Sequence, residues 1–232
     1  MKFTKEQREK INSAFQDYIN KQTEQSMIEY DRVLGTVVDK LEVCGWTLPA
    51  ELSIYAVNVI GKTDTVSDID SFMLDLYTGD DYERYKMMVD GIMKSPISAG
   101  IKKLIDESCF AFEHGKYAIC ADALISVIEG ILSTFWEDKS NTRMMQICQA
   151  KVNDLADEKD QITKKYIWTS YNKFIRKLFE KNNFASEEPS FINRHWLLHG
   201  RSSYDIEEID CLRLLNAVSS ICMIVKCDYP EN

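Results

Sequence analysis

Proline and glycine are scarce in this chain, four and nine among 232 residues. A β-sandwich with many tight turns needs more of both, so the scarcity points to long helices. No apolar run is expected to reach the roughly 18 residues needed to span a membrane. No CxxC pair occurs, and the seven cysteines (Cys44, Cys109, Cys120, Cys148, Cys211, Cys222 and Cys227) are odd in number and irregular in spacing. The start, MKFTKEQREK, is charged and does not read as a secretory leader. Reduced, mostly buried thiols in a cytoplasmic protein are therefore expected, with a zinc site built from them as the minor alternative. Internal repeats and low-complexity tracts are also missing.

Basic residues are outnumbered, 28 Lys and Arg against 37 Asp and Glu, for a net charge of −9. That balance argues against non-specific coating of nucleic acid. The deficit is uneven: residues 1–96 hold 11 basic and 17 acidic residues (net −6), and residues 97–232 hold 17 and 20 (net −3). The C-terminal half has room for a local basic groove. A hydrophobic content of 45% supplies a core and excludes disorder for most of the chain.

What is present is helical periodicity. Thr4-Lys5-Glu6-Gln7 reads as a capping box. Apolar residues then recur in steps of three and four from Ile11 to Leu41, with a break allowed at the polar stretch Lys21–Gln25 and a stop at Gly45. Residues 50–60 fit a short helix or a strand. Helices are expected near 67–78 and 81–94, then a boundary at Ser95-Pro96, because the residue before proline is pushed out of the helical region. Further helices are expected at 97–114, 116–137, 141–156, 159–182 and 206–227, the last capped by Asp205-Ile206-Glu207-Glu208. The helix at 116–137 is apolar on most faces and belongs at the centre of a bundle. The fold class is all-α, with an N-terminal helical region (1–95) and a C-terminal bundle (96–230).

Two of the three histidines fall within one short stretch, Asn193-Arg194-His195-Trp196-Leu197-Leu198-His199-Gly200, placed after Pro189 and before the last helix. The stretch has the form Arg, polar residue, three residues, His. Cutting RNA without a metal needs a base for the ribose 2′-OH, an acid for the leaving 5′-oxygen and a cation for the developing phosphorane charge. Histidine titrates near neutral pH and serves the first two needs. Arginine offers phosphate a permanently charged donor fork. Residues five apart on a helix are rotated by about 140° and displaced by about 7.5 Å, so Arg194 and His199 would flank a groove.

Here the sequence resembles the HEPN superfamily, whose signature is Arg, four to six residues, then His, with a polar residue after the Arg. That residue is most often Asn in the family; His195 is an allowed but less common variant. The resemblance covers the C-terminal half. The helix ending Ile128-Glu129-Gly130-Ile131-Leu132 is similar to the second core helix of many bacterial members, and Glu129 sits where a polar residue accompanies the motif. The resemblance implies a four- to five-helix bundle with the motif just before the last core helix. It implies a metal-independent endoribonuclease without cofactor, with Arg194 and His199 catalytic and His195, Asn193 and Glu129 supporting. It also implies RNA as partner, a homodimer joining two motifs across a two-fold axis with Ser202 and Ser203 near the interface, and a toxin or defence role that involves no membrane and is restrained by a protein antitoxin or regulator.

Other readings of the same residues stay open. Arg194 and His199 can be a surface Arg and a helix-terminal His. His195 and His199 have the spacing of a metal pair, though Trp-Leu-Leu between them lacks the Glu of zinc hydrolases. His114 reads as a helix-end residue. Lys164, Lys165, Lys173, Arg176, Lys177 and Lys181 make one helix basic, which is either a solvated face or a phosphate-tracking surface that Arg201 would extend. Trp136, Trp168 and Trp196 read as core or interface, and Cys211 and Cys222 as core. A non-catalytic RNA- or nucleotide-binding module and a helical protein-interaction subunit are the rival functions.

Overall fold

The computed structural model describes residues 5–136, 143–158, 161–181 and 183–228, excepting the side chains of residues 5–15 and 17. Among the described residues every regular element is helical. The elements are α1 (Lys5–Cys44), α2 (Ile54–Lys62), α3 (Val66–Met93), α4 (Ala99–Glu113), α5 (Tyr117–Leu132), α6 (Met144–Asp154), α7 (Ile162–Leu178), α8 (Arg194–Leu198) and α9 (Glu208–Asp228).

α1 runs for 40 residues without the break expected at Lys21–Gln25. That stretch is polar, but Lys, Gln and Glu are strong helix formers and no Gly or Pro interrupts them. Gly45 ends the helix at φ +76°. Its N–H bonds the Glu42 carbonyl at 3.0 Å and the Trp46 N–H reaches back to Leu41 at 2.9 Å, a left-handed closure that favours glycine. Close packing requires it too, since a Cβ there would lie 2.2 Å from the Phe191 ring. The expected capping box at residues 4–7 includes Thr4, which lies outside the described residues.

Of the two readings of residues 50–60 the helix is the one seen, α2 beginning at Ile54. Ser53 caps α2 by accepting the Ala56 N–H at 3.2 Å, and Thr65 and Ser98 cap α3 and α4 in the same way. The two helices expected at 67–78 and 81–94 lie within α3, which is interrupted at Gly79, Asp80, Asp81 and Tyr82. The last cap differs from the sequence reading. Asp210, not Glu208, reaches back, its Oδ2 accepting the Glu207 N–H at 3.1 Å, so α9 begins at Glu208. The helix expected at 159–182 spans Ile162–Leu178, with 159, 160 and 182 outside the described residues.

α5 is the central helix: Leu124, Ile125, Val127, Ile128, Ile131 and Leu132 have no solvent exposure, packed between α4 and α9. Each such side chain contributes roughly 1.5–3 kcal/mol of burial. With the following turn, Tyr117–Phe135 is long and apolar enough to cross a membrane by length and composition. This corrects the expectation that no apolar run is so long: Asp122, Ser126 and Glu129 punctuate the stretch but leave it apolar on average. Here it forms the interior of the bundle. Six cysteines are buried and Cys227 is exposed.

The core is continuous across Ser95-Pro96, joining Val37, Leu41, Ile60 and Met73 to Ile128, Trp168 and Leu215. A polar seam runs through it. Arg213 donates to Asp210 at 2.8 Å and to Asp70 at 2.9 Å, and the Trp46 indole N–H donates to Asp70 at 2.8 Å. Asn216 donates to the Thr47 carbonyl at 2.8 Å and accepts from the Tyr77 hydroxyl at 2.6 Å. Thus the connector after α1, α3 and α9 are locked in one register.

Candidate functional site

α8 has five residues, and its caps decide where its side chains point. Asn193 is buried at the N-cap. Its Oδ1 accepts the N–H groups of His195 (3.0 Å) and Trp196 (3.2 Å), and its Nδ2 donates to the Glu180 carbonyl at 2.9 Å. Its support for the motif is therefore positional. Gly200, at φ +62°, closes the other end: its N–H bonds the Leu197 carbonyl at 2.9 Å, and the Arg201 N–H bonds Trp196 at 3.0 Å. His199 is the last residue before this turn and is exposed, while Trp196 anchors α8 in the protein.

Arg194 turns toward α5, where its Nε donates to Glu129 Oε1 at 2.7 Å. Both side chains are about one-third exposed, at 34% and 28%. The guanidinium carbon lies 5.9 Å from the Phe179 ring centre. The structure thus brings two of the sequence-selected residues, 65 positions apart, into one ion pair.

A second cluster is built around Phe184. The His195 ring stacks on it at 4.4 Å with 9° between planes, and the Arg201 guanidinium stands 4.3 Å over the same ring. His199 meets Phe184 edge-on at 5.7 Å and His195 at 4.8 Å. Sequence reasoning missed Phe184. No spacing marks it: it is one of two phenylalanines, with Phe179, between α7 and Pro189. Partial desolvation, then the positive charges of His199, Arg194, Lys181 and Arg201, hold His195 below the ordinary histidine range. At neutral pH its imidazole is therefore uncharged and able to accept a proton.

Glu188 ties the loop before α8 to the segment after it. Its carboxylate accepts from the Ser202 hydroxyl (2.5 Å), the Ser203 N–H (2.8 Å) and the Ser203 hydroxyl (2.6 Å). Burial opposes ionisation, but these bonds and one from the Tyr204 backbone outweigh it and lower the Glu188 pKa. Ser202 and Ser203 are engaged with this carboxylate.

The basic residues of α7 are directed elsewhere. Lys173 pairs with Asp39 at 2.7 Å and with Glu42, both on α1. Lys177 donates to the Val43 carbonyl at 3.2 Å and lies 4.6 Å over Phe191; burial, then Arg213, lowers its pKa. Arg176 donates to Gln149 at 2.8 Å. Lys165 pairs with Asp31 at 3.3 Å, and Lys164 with Asp228. Of the residues assigned to RNA binding, Arg201 stands beside the histidines, while Lys173, Arg176 and Lys177 hold α7 to α1 and α6.

His114 caps α4, its Nδ1 2.8 Å from the Phe110 carbonyl and its ring 4.0 Å from that of Phe110, tilted by 31°. Among the described residues no group of three His, Cys, Asp or Glu converges as metal ligands would. The α8 surface thus carries two adjacent imidazoles and two arginines, Arg194 held on Glu129 and Arg201 over Phe184. In comparisons with protein-family models, curated proteins and solved structures, nothing matches this chain.

Proposed function

We propose that the protein is a metal-independent endoribonuclease of HEPN type, acting at the surface formed by Arg194, His195, His199 and Arg201. One observation carries the reading: two imidazoles lie 4.8 Å apart, one of them held neutral, on a five-residue helix flanked by two arginines. In the proposed reaction the ribose 2′-oxygen attacks phosphorus as neutral His195 takes its proton. The bond from phosphorus to the 5′-oxygen breaks, and protonated His199 supplies the proton to that oxygen. The products are a 2′,3′-cyclic phosphate and a 5′-hydroxyl. Arg194 and Arg201 stabilise charge on the non-bridging oxygens. A two-fold homodimer would place a second motif against the first, and a toxin or defence role, with a protein regulator, follows from the family resemblance alone.

The test is incubation of purified protein with total RNA, with and without chelator, and mapping of the ends. Cyclic-phosphate ends that persist in chelator support the proposal. Cleavage that stops in chelator and returns with zinc would make His195 and His199 a metal pair instead.

A second reading has its own observation. The middle of α1 exposes Tyr18 (60%), Ile19 (40%), Met27 (41%) and Ile28 (63%), side chains that a protein partner would cover. A chain that binds RNA or protein without cutting would fit a helical interaction subunit.

A further inference from the structure

On the far side of the kink in α3, Tyr82, Tyr85, Phe112 and Tyr117 line a cavity of about 320 Å³ together with Asp81, Glu113 and Glu208. The volume is at the lower end of small-molecule sites. Tyr85 and Phe112 are buried and form its floor, 4.9 Å apart and tilted by 31°. The Tyr82 ring stands nearly upright on that floor, at 83° to Tyr85 and 74° to Phe112, with centroids 6.1 and 6.5 Å away. Tyr117 closes a further side, 5.9 Å from Phe112. The result is a box of aromatic faces with carboxylates on its rim.

From this arrangement we infer that the cavity is a binding site for an organic cation, specifically a quaternary or methylated ammonium head group. Aromatic faces attract a cation through their quadrupoles, and a methylated ammonium loses little hydration on entering such a box. The rim supplies the long-range charge. Lys86 is occupied by Asp81, at 3.1 Å to its carboxylate and 2.6 Å to its carbonyl. Glu113 and Glu208 have no cationic partner among the described residues, and bond instead to the hydroxyls of Tyr85 (3.4 Å) and Tyr82 (2.7 Å). The bond to Glu208 pushes the Tyr82 pKa up to about 12, so the hydroxyl remains a donor that fixes the ring.

The backbone is consistent with a purpose for that ring. Asp80, Asp81 and Tyr82 take left-handed conformations in succession, at φ +49°, +55° and +61°. A bulky aromatic is a rare occupant of this region, and strained residues of this kind concentrate at ligand clamps. Here the kink at residues 79–82 of α3 sets the Tyr82 ring against Tyr85 and Phe112.

The experiment is a titration of the full chain with choline, followed through the tyrosine ring resonances. The neutral carbon isostere, 3,3-dimethylbutan-1-ol, and a peptide bearing trimethyllysine are the other arms. Choline should shift the resonances of Tyr82, Tyr85 and Tyr117 saturably, and the neutral alcohol should bind at least about tenfold more weakly. Tighter binding of the peptide would assign the head group to a protein partner, and tighter binding of choline to a free small molecule; both support the site. Tyr82→Ala should cost about tenfold or more in choline affinity, whereas Tyr82→Phe, which keeps the ring, should retain most of it. Equal binding of the neutral alcohol, or wild-type choline affinity in Tyr82→Ala, overturns the inference.

Discussion

Arg194 gives its Nε–H to Glu129 Oε1 at 2.7 Å, and the two terminal amino groups of the same guanidinium have no hydrogen-bond partner among the described residues. The carboxylate comes from the central helix α5, whose neighbours are fully packed, so it is a rigid anchor. A guanidinium held by one edge keeps its other edge for an anion, with less freedom to lose when the anion arrives.

The first prediction follows from that geometry. Arg194→Lys keeps the charge but has no Nε–H fork, so it cannot hold Glu129 and present a second pair of donors. RNA cleavage should fall by about 10²-fold or more in Arg194→Lys and Arg194→Ala, and in His199→Ala as well. Circular dichroism should show unchanged helicity. Full cleavage by Arg194→Ala and His199→Ala would remove the nuclease reading.

A second prediction concerns pH. A histidine whose folded pKa is depressed takes up protons more readily when unfolded, so its contribution favours folding above the unfolded pKa and is lost as pH falls through the folded one. His195 should therefore titrate by NMR below the ordinary value of about 6.5. Removing one repelling cation with Arg201→Ala should raise that midpoint. If His195 is the base, the acid limb of the cleavage profile should move upward with it. An unmoved midpoint would show that Arg201 does not act on His195.

Much of the helical order was legible because its punctuation is local. Gly45 marks a helix end by its own conformation and was read as a stop, whereas the caps at Ser53, Thr65 and Ser98 emerged only in the structure. The choice between strand and helix at 50–60 was not legible, since so short a stretch carries too little periodicity. The motif itself was visible as a spacing, but its surroundings were not. Phe184 organises the histidines through ring contacts that no pattern announces. The basic face of α7 was left open as solvated or phosphate-tracking, and sequence did not show that Lys173 and Lys177 bond to α1 and Arg176 to α6. Arg213 and Asp70 are 143 positions apart, and only the packing of α9 against α3 brings them together.

That buried seam gives a stability prediction. Asp210 has no solvent exposure and Arg213 is its only charged donor among the described residues. Arg213→Ala leaves Asp210 and Asp70 without their cation and should cost roughly 3–5 kcal/mol in urea denaturation. The double variant Arg213→Met with Asp210→Asn should recover part of the loss. A cost under about 1 kcal/mol would mean that water reaches the seam.

The last prediction separates the two basic surfaces. Lys173 is engaged by Asp39 and Glu42 of α1, and its side chain is 26% exposed. Arg201 is exposed beside the histidines, with its charge over the Phe184 ring. If α7 tracked phosphate, Lys173→Ala would weaken RNA binding uniformly and flatten its salt dependence by roughly one unit of slope. The internal pairing leads to a different expectation. Lys173→Ala should lower stability by about 0.5–1 kcal/mol, an effect that shrinks in high salt, and should leave RNA affinity unchanged. Arg201→Ala should do the reverse, reducing affinity and its salt slope while leaving the denaturation midpoint nearly unmoved. Fluorescence anisotropy with a labelled single strand at several salt concentrations, run beside urea melts of both variants, measures all four quantities. An Arg201→Ala protein that binds RNA as the wild type does, paired with a Lys173→Ala protein that does not, would move the RNA path from α8 to α7.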